Sequence, residues 1–226
     1  CEVLFGHAVF TSPHTVRVND TVIAGRRFVI ATGSRPSAPP IDGLDSIDYL
    51  TNESLFTLRD LPQRLLVLGG GPIGLEMAQA FARLGSKVTV VERLPQLLPQ
   101  EDAEVAETLR AKLVDEGIDI LTGAGVERLQ REDGSYRVKC SGGHSLLADQ
   151  LLVAAGRQAN ADDLGLDAAG VVYDEEGIKV DRRQRTSQKH IFACGDVCGP
   201  YPFTHMAEYQ AGIVISNAVF RFPKKT

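Results

Sequence analysis

The sequence predicts an α/β fold on three observations. Short apolar runs that stop at glycine are followed by segments of helical period, one strand–helix–strand unit spans residues 65–92, and the short alternating segments after it read as an antiparallel meander. At 226 residues the chain has room for one large domain or two small ones. Its 43% apolar and 23% charged residues, with 22 Gly and 11 Pro, are those of an ordinary soluble globular protein. The longest apolar stretch, residues 65–75, is interrupted by Gly and Pro, which excludes a membrane span. A formal net charge of −5, with no basic cluster on any expected helix, argues against a phosphate-backbone footprint and hence against nucleic acid. Four cysteines, Cys1, Cys140, Cys194 and Cys198, are too few for a disulfide scaffold and lack the CxxC pairs of a zinc site. No metal centre is expected, and a reducing, cytoplasmic setting fits. With no initiator Met and no basic-then-apolar leader, the numbering is expected to start inside a longer chain.

In chain order, residues 3–5, 7–10, 15–18 and 21–24 read as strands, with Asn19-Asp20 turning the last pair, and residues 27–32 as a buried strand that stops at Gly33. Pro36, Pro39 and Pro40 forbid a continuing strand or helix over 34–43, so that segment is expected to cross between domains, with a boundary near Leu50. Residues 65–68 form a strand and 74–84 a helix with Ile73, Met77, Ala80, Phe81 and Leu84 along one face; after Gly85, residues 87–92 form the second strand. Val105, Leu109 and Leu113 mark a helix over 102–116, with a parallel strand at 118–121 after it. Residues 126–129, 136–140 and 145–147 make the meander, turning at Asp133-Gly134 and Gly142-Gly143, and 149–154 is a further buried strand. A polar run over 159–165, strands at 178–180 and 190–194, and a helix over 205–220 complete the chain. That last helix has Thr204 as N-cap and Ala207, Ala211, Val214, Ile215, Ala218 and Val219 inward. Residues 29–34, VIATGS, echo residues 152–157, LVAAGR, as two related nucleotide-binding halves would.

The strongest chemical signal is LLVLGGGPIGLE. Gly69, Gly71 and Gly74 make G-x-G-x-x-G at the join of a strand and a helix, where glycines permit a tight turn, close approach of backbone to a pyrophosphate, and close packing of helix on strand. Pro72 and Ile73 lie within the motif, at the start of a helix whose positive dipole end faces the phosphates. Glu92 ends the next strand 21 residues after Gly71, placed to accept hydrogen bonds from both hydroxyls of an adenosine ribose and to repel a 2′-phosphate. That favours NAD over NADP, although Arg93 beside it pulls the other way. Glu76, expected in the first turn of the helix, reads by itself as a surface acid complementing the dipole.

Longer segments carry a resemblance. FVIATGSRPSAPPIDG (28–43), RLLVLGGGPIGLEMAQAFARLGSKVTVVER (64–93), LLVAAGRQAN (151–160) and TSQKHIFACGDVCG (186–199) resemble, in the same order, the pyridine nucleotide-disulfide oxidoreductases, the family of dihydrolipoamide dehydrogenase, glutathione reductase and mercuric reductase. The resemblance implies a Rossmann-like NAD(P)-binding domain, with parallel sheet and antiparallel meander, inserted into a partial FAD-binding domain of the same type. Residues 1–50 and 161–226 then belong to the FAD domain and 51–160 to the NAD domain. It implies that Asp196, at the end of IFACGD, hydrogen-bonds the ribityl chain of FAD, and that the backbone of Met206 and Ala207 meets the flavin pyrimidine carbonyl at a helix start. The resemblance also implies a place near the nicotinamide for Glu76. Gly156 would let backbone approach the nicotinamide nucleotide and Arg157 would face flavin. Thr32, Gly33 and Ala8 would lie along the FAD, Ala8 giving a main-chain contact to its adenine.

The activity implied is hydride transfer from NADH to flavin and on to a disulfide or another small-molecule acceptor, in a homodimeric parent. The family's FAD-binding G-x-G-x-x-G, its CxxxxC redox pair and its dimerisation domain do not occur in these residues. Cys194 and Cys198 follow a different strand and read as inert thiols. No catalytic residue is assigned, His205 included, and the 226 residues on their own are expected to be inactive. Two other readings stay open: an NAD-binding module that turns nothing over, and a flavin reductase of ferredoxin-reductase type without a redox disulfide.

Overall fold

The computed structural model describes every residue except Cys1 and Arg221, so Cys1 lies outside the described residues. The chain divides into a central unit, Pro36–Gly156, and a flanking unit made of Cys1–Arg35 and Arg157–Thr226. These limits fall earlier than the boundaries expected at 50 and 160, for identifiable reasons. Leu44 is buried in the central core with Leu66 and Leu129, and Leu50 both donates to the Leu151 carbonyl (2.7 Å) and accepts from the Val153 N–H (2.8 Å). At the other limit, the Asn160 N–H donates to the Gly33 carbonyl and its side-chain amide to that of Thr32, both at 2.9 Å.

The flanking unit begins with β1 (Ala8–Ser12), β2 (Thr15–Val18) and β3 (Thr21–Ala24), an antiparallel meander. Residues 3–5 form no strand, contrary to the pattern, and Val3, Leu4 and Phe5 are exposed. β4 (Phe28–Ile30) is shorter than the expected 27–32 because its parallel pairing with a later strand ends at Ile30. A brief β5 (Ser34–Pro36) forms where prolines argue against one, since Pro36 takes its last position, where a missing N–H costs least.

The central unit contains β6 (Arg64–Leu68), α1 (Pro72–Leu84), β7 (Lys87–Val91), α2 (Ala103–Asp115) and β8 (Asp119–Leu121), then β9 (Val126–Glu132), β10 (Ser135–Cys140), β11 (Ser145–Ala148) and β12 (Gln150–Val153). Its four-stranded sheet runs β12-β6-β7-β8, all parallel, and β11-β10-β9 is the expected antiparallel meander. The run LLVL of β6 is buried on both faces, as a central parallel strand must be. Leu65 and Val67 pack with Val88, Val90 and Leu152 against Leu75 and Ala78 of α1 and Leu113 of α2. Leu66 and Leu68 pack with Val91, Leu151 and Val153 against Leu129, Tyr136 and Val138 of the meander. The sheet is thus the middle of three layers.

Helix α1 starts two residues before the expected 74, because Pro72 supplies a preset φ and lacks only an N–H that a first turn leaves unpaired anyway. Its inward face is Gly74, Leu75 and Ala78 flanked by Met77 and Phe81, whereas Ala80 and Leu84 are exposed. Small residues, rather than the large ones the period picks out, make the closest approach to the sheet. In α2, Val105 is likewise exposed and Ala106 takes the inner place.

The chain returns to the flanking unit with β13 (Arg157–Ala159), which pairs with β5, then a short α3 (Leu166–Ala169) after the polar run, a small hairpin of β14 (Tyr173–Asp174) and β15 (Gly177–Ile178), β16 (Ile191–Ala193) parallel to β4, and α4 (Thr204–Ala218). Ile191 and Ala193 face a core with Phe10, Ile30, Leu164 and Ile178, while Phe192 and Cys194 face Val214 and Ala218 of α4. Thr204 is the first helical residue rather than the cap, a place held by the extended backbone of Phe203. Ile213, Val214, Asn217 and Ala218 point inward, and Ile215 and Val219, expected inside, are exposed. Among the described residues no helix is long and apolar enough to cross a membrane.

Candidate functional site

In the central unit the chain leaves β6 for β7 on one side and returns to β12 on the other, so the turn after β6 sits at the switch point where open parallel sheets receive ligands. The glycines there have different duties. Gly69 has φ +111°, and a Cβ on it would lie 2.4 Å from the Ala154 carbonyl oxygen, so it lets the carboxyl ends of β6 and β12 close together. A Cβ on Gly74 would lie 2.2 Å from the Gly69 carbonyl oxygen, so it seats α1 on the turn. Gly70 is hemmed in by Leu97, whose Cδ2 would lie 2.6 Å from a Cβ, and by Glu92. Gly71 differs from all three: its backbone (φ −80°, ψ 177°) is open to any residue, and a Cβ would meet nothing within 4 Å. Neither strain nor packing demands glycine at 71. What it preserves is open space at the positive end of α1, beside Pro72 and Ile73.

Glu92 follows β7 and is 9% exposed. Its Oε2 accepts from the Gly70 N–H at 2.7 Å and its Oε1 from the Leu94 N–H at 2.8 Å, so the carboxylate is fastened beside the turn with lone pairs to spare. Arg93 is exposed, its stem alongside Gly125. Glu76 is exposed but lies in the second turn of α1, not the first, because Pro72 starts the helix early; an interaction with the helix dipole is correspondingly weak there. Gly156 is exposed beyond β12 and its carbonyl accepts from the Ser37 N–H at 3.0 Å.

In the flanking unit Asp196 opens a tight turn after β16. The Ser34 hydroxyl donates to Asp196 Oδ2 at 2.6 Å, and Arg157 donates from Nε to Ser34 Oγ at 2.7 Å and from Nη2 to the Ser34 carbonyl at 2.9 Å. Arg157 Nε lies 3.6 Å from the same carboxylate oxygen, which closes a triangle of serine, arginine and aspartate. Ala8 and Thr32 line one apolar cavity of about 270 Å3 with Phe10, Val16, Phe28 and Leu164. Gly33 follows at φ +70°. Met206 and Ala207 lie in the first turn of α4, the Ala207 methyl near Gly195, and both their N–H groups donate to the Phe203 carbonyl at 3.0 Å.

Burial pushes the Cys194 thiol up and, with Cys194 beside it, pushes that of Cys198 up to about 12. Both are free thiols far from thiolate character at neutral pH. The motif reading passes over three residues that hold the sites together. Gly70 donates to Glu92, Ser34 joins Arg157 to Asp196, and Gln210 of α4 accepts from the Gly195 N–H at 2.7 Å. Ser34 alone had a sequence signal, as the polar residue that follows Gly33 in the repeated strand-glycine pattern.

A parallel sheet with a glycine turn and a fastened acid at its switch point, interrupting a second α/β unit, defines a protein of the dinucleotide-binding fold. More narrowly, the chain belongs to the pyridine nucleotide-disulphide oxidoreductase family, whose sequence profile matches residues 1–211. It is similar to mercuric reductase of Lysinibacillus sphaericus, 39% identical over 228 residues that cover 99% of this chain and 42% of that protein. It is also similar to dihydrolipoyl dehydrogenase of Thermus scotoductus, 37% identical with 96% and 48% of the two chains covered. Among solved structures, the HOCl-induced flavoprotein disulfide reductase RclA of Escherichia coli matches with a TM-score of 0.92 and 34% identity over 100% of this chain and 52% of that one. The chain spans about half the length of the curated relatives it matches.

Proposed function

We propose that the chain is the nucleotide-binding portion of an NAD(P)H-dependent, FAD-containing oxidoreductase that delivers electrons to a disulfide or another small acceptor. The observation that carries this reading is the open space at Gly71, kept where no internal contact asks for it, with the carboxylate of Glu92 fastened alongside. In the central unit, residues 51–160 of the sequence reading, Gly71 makes room for a diphosphate and Gly69, Pro72, Ile73 and Gly74 shape the turn around it. Glu92 holds the ribose hydroxyls and disfavours a 2′-phosphate, which makes NADH the preferred donor despite Arg93. Glu76 and Gly156 serve the nicotinamide end.

The flanking unit, residues 1–50 and 161–226 of the same reading, holds FAD. Ala8 and Thr32 border the apolar cavity suited to a flat ring, with Gly33 next in the chain, Asp196 receives sugar-alcohol hydroxyls, and Arg157 holds that acid in place through Ser34. Met206 and Ala207 contribute the start of α4, whose dipole favours negative charge on the neighbouring ring. Together the two cofactors supply hydride transfer, and the residues of this chain bind and orient them. In a protein that carries the remaining half of its relatives' length, the assembly is a homodimer working in the cytoplasm.

The test is flavin and nicotinamide binding. A longer protein containing this chain is expected to purify with stoichiometric FAD that NADH bleaches faster than NADPH does, while the 226 residues alone bind NADH and hold FAD weakly. A longer protein without flavin that still binds NADH would instead be a binding module, and one that binds neither would refute the reading.

A further inference from the structure

The flanking unit holds a second cavity, of about 320 Å3, ringed by Arg27, Arg183, Arg185 and Lys189 above Phe192 and Asn217. Adjacent stretches of chain bring the four cations together. Arg27 precedes β4, Lys189 precedes its parallel partner β16, and the stretch 183–186 runs along the other side of β16, where Arg185 bridges to Phe192. The Ala193 N–H donates to the Gln184 carbonyl at 3.1 Å and the Thr186 N–H to the Ile191 carbonyl at 3.0 Å. Arg183 and Arg185 both line the cavity, on either side of Gln184, which is buried and turns the chain with a left-handed backbone (φ +60°). Asn217 of α4 walls the cavity, its amide donating to the Ile213 and Lys224 carbonyls at 3.0 and 2.7 Å.

No carboxylate lines the cavity, and among the described residues none of the four cations forms an ion pair. Arg27 has a structural duty, since its Nη1 donates to the Ala218 carbonyl at 2.6 Å, at the negative end of α4. Arg183, Arg185 and Lys189 have no such duty. Arg185 Nε is fully buried without a hydrogen-bond partner, whereas Nε of Arg64, Arg83, Arg110, Arg137 and Arg157 each reaches a carboxylate or hydroxyl. A charged donor held in that state is costly, and an anion that pairs with the part of the Arg185 guanidinium lining the cavity offsets part of that cost.

We propose that this cavity binds a small soluble oligophosphate, with the planar fork of Arg185 making paired charge-assisted hydrogen bonds and Arg183 and Lys189 adding charge. Its volume stands at the small end of ligand pockets and suits a di- or triphosphate group rather than a whole dinucleotide. The inference does not rest on the redox reading, because the glycine turn belongs to the other unit.

Calorimetric titration of the whole chain with pyrophosphate at constant ionic strength tests it. Because a diphosphate also fits the glycine turn, the titrations are made in the Gly71→Glu background, which blocks that turn and is expected to keep the pyrophosphate site of the cavity. There Arg185→Met is expected to weaken binding about tenfold or more, the loss of a charge-assisted contact. Because Arg185 Nε has no partner to lose, adding Arg185→Met should not lower the melting temperature of Gly71→Glu without ligand, and pyrophosphate should raise the melting temperature of Gly71→Glu but not of the double variant. Equal affinity in Arg185→Met, loss of binding in Gly71→Glu, or the same thermal shift from chloride at matched ionic strength would overturn the proposal. Binding to anionic phospholipid vesicles without binding to pyrophosphate would also overturn it, in favour of a membrane headgroup.

Discussion

Replacing Gly71 by Ala separates a glycine kept for a ligand from glycines kept for the fold. The added methyl meets no atom within 4 Å and the backbone at φ −80° accepts it. Folding then changes only through helix capping, where Ala is worse than Gly by up to about 1 kcal/mol, and through the less flexible unfolded chain, which returns about 0.4–1 kcal/mol. Gly71→Ala should therefore unfold in urea within about 1 kcal/mol of the parent. Gly74→Ala sets a methyl 2.2 Å from the Gly69 carbonyl oxygen, and Gly69→Ala sets one 2.4 Å from that of Ala154 at φ +111°. Both contacts are backbone and cannot step aside, so each should cost about 1–3 kcal/mol or more. NADH affinity, followed by quenching of its fluorescence, should fall at least about tenfold in Gly71→Ala, since the methyl takes the place of a phosphate oxygen. If Gly71→Ala bound NADH as the parent does, the space at Gly71 would have no connection with the coenzyme.

Four further outcomes are expected. Glu92→Gln leaves one backbone N–H facing an amide NH2, which should cost about 1.5–3 kcal/mol in urea denaturation and lower the ratio of NADH to NADPH affinity; an unchanged ratio would contradict the role given to Glu92. Ser34→Ala removes both the donor to Asp196 and the acceptor for Arg157 and should destabilise by about 1–2 kcal/mol, with Ser34→Thr recovering most of it. The Arg64 guanidinium, aided by the Arg64 backbone N–H and the Ser135 hydroxyl, holds the Asp149 carboxyl below its ordinary value. Its stabilising effect is therefore complete above the usual range near about pH 4 and lost as pH falls through the lowered folded value, so Asp149→Asn should flatten that limb of an acid denaturation profile. Cys194 and Cys198, both pushed up by burial, should resist alkylation at pH 8 until the chain unfolds, as read by mass spectrometry; rapid labelling in the native state would contradict their inert reading.

The central unit is legible in sequence because its parallel strands are buried on both faces and so appear as unbroken apolar runs, and because the glycine spacing marks where the first of them turns into a helix. The emptiness around Gly71 is not legible, since the letter G is the same whether a position is crowded, strained or open. Helix faces are read less well where small residues pack closest: Gly74 and Ala78 carry little hydrophobic signal, yet they set α1 against the sheet. Short pieces such as β5 and α3 depend on partners distant in sequence rather than on local pattern. Ser34 and Asp196 are 162 residues apart and Ser34 and Arg157 123 apart, so only the fold reveals that they share one hydrogen-bonded triangle. The cationic cavity is hidden for the same reason, its four charges coming from stretches that read separately as ordinary surface.

The central claim is that a coenzyme diphosphate crosses the glycine turn with its adenosine ribose on Glu92. A crystal structure of the chain with NADH tests this most directly. The diphosphate should lie against Gly71 at the start of α1, with both ribose hydroxyls within hydrogen-bonding distance of the Glu92 carboxylate. Electron density for the coenzyme anywhere else, with the turn left bare, would contradict it.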